Sequence, residues 1–442
     1  MKYFGTDGIR GRVGEKFMTP DFALRLANAS AQVLAPNGGT VLIGKDTRIS
    51  GYMFESALEA GFVSAGINVK LLGPIPTPAI AYLIRRYNAE LGIVISASHN
   101  SFKDNGIKFF NSNGTKLDDE SEVKIEAALE ESIKTKKSTD LGRATIDSLA
   151  RERYQEFCIS SYDAEEALTE MKVIFDGANG AGYKVGPRIL NDLGAQVLSI
   201  GCSPNGQNIN DNCGSTHPEL LQQTVKAVGA DVGIALDGDG DRVIMVDENG
   251  ELLDGDQLLF ILAMDFKSRD KLRTPVVGTV LSNIGLEIAL KDNGIDFLRS
   301  KVGDRNILKL LREKGGNLGG EASGHMICMD YAETGDGLIT AIQILAIMRR
   351  NNETLSSLSN KMKKHPQISE NIDNFNNFNI HESDEIKQLV SNLENTLDGK
   401  GRVILRPSGT EPLIRLMLEG EDLDYLQAQM KELRSKVEEI VN

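Results

Sequence analysis

The sequence predicts an α/β fold of repeated layers. Short apolar runs alternate with amphipathic segments along most of the 442 residues, the pattern restarts at Val173 and again at Val276, and each restart carries one Gly-rich polar loop. Three related α/β units and a smaller α+β tail follow from that pattern.

The elements can be justified in chain order. Thr19-Pro20 starts a helix, with a cap residue followed by proline in the first turn; Phe22, Leu24, Leu26, Ala27 and Leu34 form its apolar side. Thr40 to Ile43 is a short strand, Phe54 to Ala65 a helix and Val69 to Leu72 another strand. The Pro-rich run 73–78 is excluded from a helix interior because proline lacks the amide hydrogen and restricts its predecessor. Leu91 to Ile95 completes a parallel set. Strands follow at 173–176, 197–200, 232–236 and 276–280, then a long apolar helix at 337–349. Glu370 to Ile380 is Asn-rich and reads as a linker. Beyond it lie a helix at 384–397, strands near 403–405 and 413–418, and a last helix from Asp422.

Bulk properties narrow the class. The net charge of -14 argues against nucleic acid or an anionic membrane as partner, while leaving room for a locally basic cleft that binds an anionic small molecule. Cys158, Cys202, Cys213 and Cys328 form no CxxC pair and read as reduced thiols. The longest uncharged apolar stretch, Gly337 to Met348, falls short of the roughly 20 residues a spanning helix needs. No signal peptide is legible near Met1, so a cytoplasmic location is expected.

Chemistry concentrates in four loops. Ser96-Ala97-Ser98-His99-Asn100 follows the buried-looking 91–95 run. A serine there is ordinarily a turn or cap residue, but His99, Lys103 and Lys108 supply the donors and cations that three phosphoryl oxygens require. Asp237-Gly238-Asp239-Gly240-Asp241-Arg242 places three carboxylates at alternate positions. Such a turn is costly unless a cation or Arg242 offsets the repulsion, and the donor set suits Mg2+. An EF-hand is rejected, because Arg242 occupies its obligatory glycine position and 243–246 reads as strand. An aspartyl nucleophile remains open from this loop alone. Glu321, Ser323 and His325 lie in a Gly-rich loop that reads equally well as a plain turn or as a holder of sugar hydroxyls and phosphate. Arg406, Ser408, Gly409 and Thr410, with Arg415 nearby, compose either a turn or a phosphate nest. Segments 6–11 and 45–48, including Arg10 and Arg48, read by default as surface charge.

Taken together, the four loops resemble the α-D-phosphohexomutase superfamily along the whole chain. They match, in order, its phosphoserine, DGDGD metal, GExSGH sugar and RxSGTEP phosphate motifs. Segments 4–11, 96–100 and 208–216 resemble its amino-sugar branch. Ser101, Ala322 and Gly177 depart from the usual proline, glutamine and cysteine.

The resemblance implies three α/β domains with mixed sheets (1–153, 154–251 and 252–367) and a C-terminal α+β domain (368–442) around a central cleft. It implies interconversion of glucosamine 6-phosphate and glucosamine 1-phosphate through a phosphoserine at Ser98 and a 1,6-bisphosphate, supplying UDP-N-acetylglucosamine synthesis. Hexose 1,6-bisphosphate is the expected activator. Ser98, Asp237, Asp239 and Asp241 would bind one Mg2+ per chain, and Ser98, Arg10, Lys108 and His99 would act in catalysis. Arg242, Glu321, Ser323, His325, Arg406, Ser408, Gly409, Thr410 and Arg415 would bind the phosphosugar. A homodimer is compatible with this reading. The alternatives are action on glucose or mannose phosphates and, from a different class, a Ca2+ sensor using the acidic loop.

Overall fold

The computed structural model describes residues 2–5, 7–374, 378–380, 382–397, 399–407 and 413–441. Contacts divide the chain into two units, Met1–Val280 with Leu298–Asn360, and Leu281–Phe297 with Lys361–Asn442.

Four sheets succeed one another along the sequence. The first contains β1 (Ile9–Arg12), β2 (Thr40–Lys45), β3 (Asn68–Pro74), β4 (Leu91–Ile95), β5 (Asp104–Asn111) and β6 (Ala144–Ile146), in the order β1-β5-β4-β2-β3-β6. Strands β2, β3, β4 and β6 run parallel, while β5 returns antiparallel to β4 and β1 antiparallel to β5. Every residue of β4 is buried, as expected for a strand covered on both faces. Val41, Ile43, Ile93, Ile95 and Ile107 pack there with Leu26, Phe54 and Phe62 from two helices.

The second sheet has β7 (Lys172–Asp176), β8 (Gln196–Ile200), β9 (Val232–Leu236), β10 (Val243–Asp247) and β11 (Leu252–Leu253), ordered β11-β10-β9-β7-β8. Strands β7, β8 and β9 are parallel, and β10 turns back antiparallel on β9. The third sheet has β12 (Val276–Thr279), β13 (Phe297–Ser300), β14 (Leu318–Gly320) and β15 (Met326–Cys328), ordered β13-β12-β14-β15. All three sheets are mixed or carry an antiparallel return, and these returns build the site loops.

Within the second unit, β16 (Gln367–Asp373), β17 (Arg402–Pro407) and β18 (Leu413–Glu419) form an antiparallel sheet ordered β16-β18-β17. Ile372, Ile414, Leu416 and Leu418 pack there with Leu426, Met430 and Val437 of the last helix.

Two local expectations need correction. Gln367–Asp373 is a strand paired with β18, so the Asn-rich stretch is not a linker over its first residues; side-chain composition did not reveal a backbone ladder. Thr19 occupies the N-cap position of the helix Pro20–Leu34 but makes no side-chain cap bond. The Pro-rich run behaves as its chemistry requires, ending β3 and opening the helix Thr77–Tyr87 with proline in its first turn. No helix among the described residues is long and apolar enough to cross a membrane.

Candidate active site

Three of the four expected loops meet inside the first unit, at the C-terminal ends of β4 and β9 and at the β14–β15 turn. Ligands of open α/β sheets characteristically bind at such strand ends. Ser98 is buried and has φ +52°, a left-handed conformation that costs a non-glycine residue on the order of 1 kcal/mol. The surroundings hold it there. Its amide donates to Ser96 Oγ (2.9 Å), and its carbonyl accepts from Arg48 Nη2 and Asn210 Nδ2, each at 2.9 Å.

Arg48 is fully buried, which corrects the surface-charge reading of segment 45–48. Its guanidinium donates to Asp46 Oδ2 (2.8 Å) and to the carbonyls of Ser98, Asn100, Ser101 and Asp104. Ser96 Oγ donates to the same Asp46 oxygen at 2.6 Å. One planar fork thus ties the whole serine loop to the end of β2, an arrangement that several separated carbonyls in one plane favour for arginine.

Ser98 Oγ donates to Asp237 Oδ2 at 2.6 Å, joining the serine loop to the acidic loop. Gly238 makes that approach sterically feasible, because a Cβ there would lie 2.4 Å from the Ser98 carbonyl oxygen. Asp237, Asp239 and Asp241 are all buried and can each present one oxygen within 4.8 Å of the others. Asp239 Oδ1 and Asp241 Oδ1 are buried without a hydrogen-bond partner. Burial, then Asp241 and Asp239, push Asp237 well above the usual carboxylate range. Orphaned acceptors and crowded like charges are the condition a hard divalent cation relieves, so the residues fit one.

Lys108 projects from β5 into this cluster. Its Nζ lies 2.9 Å from Asp239 Oδ2, 2.9 Å from Asp7 Oδ2 and 3.7 Å from Asp241 Oδ2. Burial alone would depress it, but Asp239, Asp7 and Asp241 outweigh that and hold the ammonium well above the ordinary lysine range. Thr77 Oγ1 also donates to Asp239 Oδ2. His99 Nδ1 sits 3.4 Å from Ser98 Oγ and 3.4 Å from Arg242 Nη1. Burial, Arg242 and Arg10 push His99 down to about 4, so its imidazole is neutral at pH 7. Arg10 is itself exposed and paired with Asp7 at 3.4 Å. Lys103, a candidate cation by sequence, is exposed on the serine loop and enters no ion pair found in this cluster.

The third loop docks on the second. Gly324 (φ +89°) accepts the Val243 amide through its carbonyl, and a Cβ there would fall 1.9 Å from the Val243 carbonyl oxygen. Glu321 Oε1 accepts from the Gly303 amide at 2.9 Å. His325 is buried; its Nε2 accepts from Gly335, which leaves the proton on Nδ1, 3.7 Å from Asp241 Oδ2. Ser323 is exposed at the tip. A cavity of about 400 Å³ is lined by Asp7, Lys116, Asp241, Arg242, Asp304 and Glu321, among others.

In the second unit, Arg406 and Arg415 face each other across β17 and β18, a like-charge pair that an anion would relieve. Burial and Arg415 both depress Arg406. Ser408, Gly409 and Thr410 lie outside the described residues.

Sequence reasoning took Asp46 and Arg48 for surface charge and gave no role to Thr77, Lys116 or Asp304. Asn210 stood in a segment noted for its resemblance, but with no role attached. The Gly177 departure has a steric account. A Cβ there would meet Cys202 Sγ at 2.8 Å, so that cysteine fills the space.

The fold and site define a class. Family models match domain I (1–136), domain II (152–250), domain III (254–365) and the C-terminal domain (370–436) of phosphoglucomutase/phosphomannomutase. The protein is therefore a phosphohexomutase, an enzyme of the isomerase class. The chain is 53% identical to phosphoglucosamine mutase 1 of Shewanella amazonensis over 95% of each chain, and 52% identical to that of Proteus mirabilis over 99% of each. It belongs to the phosphoglucosamine mutase family. Two solved structures share its fold. One is a phosphoglucomutase/phosphomannomutase family protein from Burkholderia thailandensis (TM-score 0.81, 24% identity, 99% of this chain and 98% of that one). The other is an Aspergillus fumigatus N-acetylphosphoglucosamine mutase in complex with GlcNAc-6P and magnesium (TM-score 0.73, 14% identity, 100% and 96%).

Proposed function

We propose that the enzyme interconverts glucosamine 6-phosphate and glucosamine 1-phosphate, with Ser98 as the phosphoryl carrier. The observation that carries this reading is the Ser98 hydroxyl, held in a left-handed turn and hydrogen-bonded to a buried aspartate at 2.6 Å. In the forward direction phosphorylated Ser98 gives its phosphoryl group to O1 of the 6-phosphate: the P–Oγ bond breaks, a P–O1 bond forms, and the proton of the O1 hydroxyl passes to the departing Oγ. The 1,6-bisphosphate then reorients, and Ser98 Oγ takes the phosphoryl group from O6: the P–O6 bond breaks, a P–Oγ bond forms, and the Ser98 proton ends on O6. Neutral His99, 3.4 Å from Oγ, can accept the hydroxyl proton as Oγ attacks.

Asp237, Asp239 and Asp241, with Ser98, would hold Mg2+, which when bound neutralises charge on the transferring phosphoryl group. Lys108 and Arg10 add fixed positive charge beside the acidic loop. Arg242 orients His99, Glu321 and Ser323 bind sugar hydroxyls, and His325 supports Asp241 from behind. Arg406 and Arg415 bind a phosphate ester.

The test follows phosphorus. Substrate labelled at the 6-phosphate should transfer label to Ser98 within one turnover, and Ser98→Ala should lose at least about 10⁴-fold in kcat, a loss of the size seen when a nucleophile is removed. Parallel assays on glucosamine, glucose and mannose phosphates should favour the amino sugar. Turnover without label at Ser98 would reject the carrier, and preference for glucose or mannose would reject the substrate.

A further inference from the structure

A cation that no motif marks stands behind the site. Lys116 Nζ lies 2.5 Å from Asp7 Oδ1 and 2.6 Å from Asp304 Oδ2, with its side chain only 11% exposed. Asp7 Oδ2 contacts Lys108, Lys108 contacts Asp241, and His325 lies 3.7 Å from Asp241 and 3.5 Å from Asp304. The six groups close a ring of contacts from Lys116 through Asp7, Lys108, Asp241, His325 and Asp304 back to Lys116.

Rigid local structure aims each end of the Lys116 bridge. Residues 111–115 form a tight turn in which the Asn111 amide donates to the Thr115 carbonyl (2.8 Å) and Asn111 Nδ2 to Thr115 Oγ1 (2.9 Å). Lys116 then pairs with Phe110 through a β-bridge, so its backbone is fixed. Asp304 is the first residue of the helix Asp304–Lys314, where the helix dipole favours a carboxylate. Burial would raise it, but Lys116 and then His325 hold it at about 2. Glu321 secures the preceding residue by accepting the Gly303 amide. Asp7 thus stands between two lysines, Lys116 at Oδ1 and Lys108 at Oδ2.

Lys116 and Asp304 line a second cavity as well, of about 610 Å³.

We propose that Lys116 is a positioning residue of the mutase site. Its ammonium pins Asp7 to Asp304, across loops of the first and third sheets, so that Asp7 holds Lys108 against the acidic loop. The proposal rests on the assignment of Lys108 to phosphoryl transfer made above. Without the ammonium, Asp7 and Asp304 become neighbouring like charges, Asp7 turns away, and Lys108 loses one of its three carboxylate partners. Misplacement of a charged group by about 1 Å costs on the order of 100-fold in rate.

The test compares purified Lys116→Met, Lys116→Arg, Asp304→Asn and the Lys116→Met/Asp304→Asn double variant with the unaltered enzyme. Measurements are kcat, KM, thermal midpoint and label transfer to Ser98. Lys116→Met should lose roughly 10- to 100-fold in kcat and in single-turnover label transfer, with KM nearly unchanged and a lower thermal midpoint, because Asp7 and Asp304 are left unpaired. Lys116→Arg should recover most of the loss, and the double variant should lose less than the product of the two single effects. Overturning results are a Lys116→Met kcat within about twofold of the unaltered enzyme in the folded variant, a loss that falls on KM instead, or strictly multiplicative effects. If Lys116→Met does not fold, Asp304→Asn and Lys116→Arg decide: a normal kcat in Asp304→Asn rejects the proposal. Absence of label on Ser98 in the unaltered enzyme would reject the carrier reading instead, a separate outcome.

Discussion

At Arg48, one side chain does the work of a small scaffold. Its guanidinium reaches four carbonyls of the serine loop and Asp46, the bonds to Ser98 and Asp46 being fully buried. Arg48→Met would strand those acceptors and leave Asp46 a buried charge without its cation. Breaking one side of a buried pair costs about 3–5 kcal/mol. We expect a loss of that size in denaturant unfolding, together with a collapse of kcat as Ser98 leaves its left-handed turn. A variant with normal unfolding and normal turnover would contradict this account. The same reasoning explains why the segment misled sequence reading. Lys45-Asp46-Thr47-Arg48 has the composition of a solvated turn, and nothing local reveals that β2 delivers it beneath another loop.

At the scale of one element, the helix Gly337–Asn351 begins with a buried titratable cap. Asp336 accepts the Ile339 amide at 3.0 Å and the Tyr154 hydroxyl at 2.9 Å. Burial, partly offset by these bonds, raises Asp336 to about 6. Because the folded carboxyl binds its proton more tightly than the ordinary carboxyl near 3.8, its contribution is fully present below that value. It is lost as pH rises through about 6. The two-unit difference corresponds to about 3 kcal/mol, an order-of-magnitude figure. Asp336→Asn should flatten the fall in thermal midpoint between pH 4 and pH 6; an unchanged slope would show that the carboxyl does not titrate there. The helix itself was legible from its apolar run, but the proton on its cap depends on burial, against which Tyr154, 182 positions away, favours the carboxylate.

At the scale of the molecule, the second unit recruits a segment from far earlier in the chain. Leu281–Phe297 groups with Lys361–Asn442. Fully buried Glu419 explains the attachment: its Oε1 accepts the Ile284 amide at 2.8 Å, and Oε2 accepts Arg402 Nη2 at 2.6 Å. Asn283 adds a reciprocal pair with the His365 backbone, at 2.9 and 3.0 Å. Glu419→Ala should lower the unfolding transition of this unit by about 3 kcal/mol or more. Scanning calorimetry should then separate it from the transition of the first unit. A single unshifted transition would refute the role.

What the sequence determined alone is the α/β layering, the apolar runs of β2, β3, β4, β7, β8, β9 and β12, and the grouping of reactive residue types in the serine, acidic and 321–325 loops. Apolar periodicity is written in neighbouring residues, and each of those loops holds its reactive groups within a few positions of one another. Tertiary structure alone decided which charges are buried and what they face. Arg48, Lys116 and Asp304 look like ordinary surface residues until distant strands bring their partners within 3 Å. The free energy of a charge depends on its surroundings in space, and those surroundings are assembled only when the sheets pack.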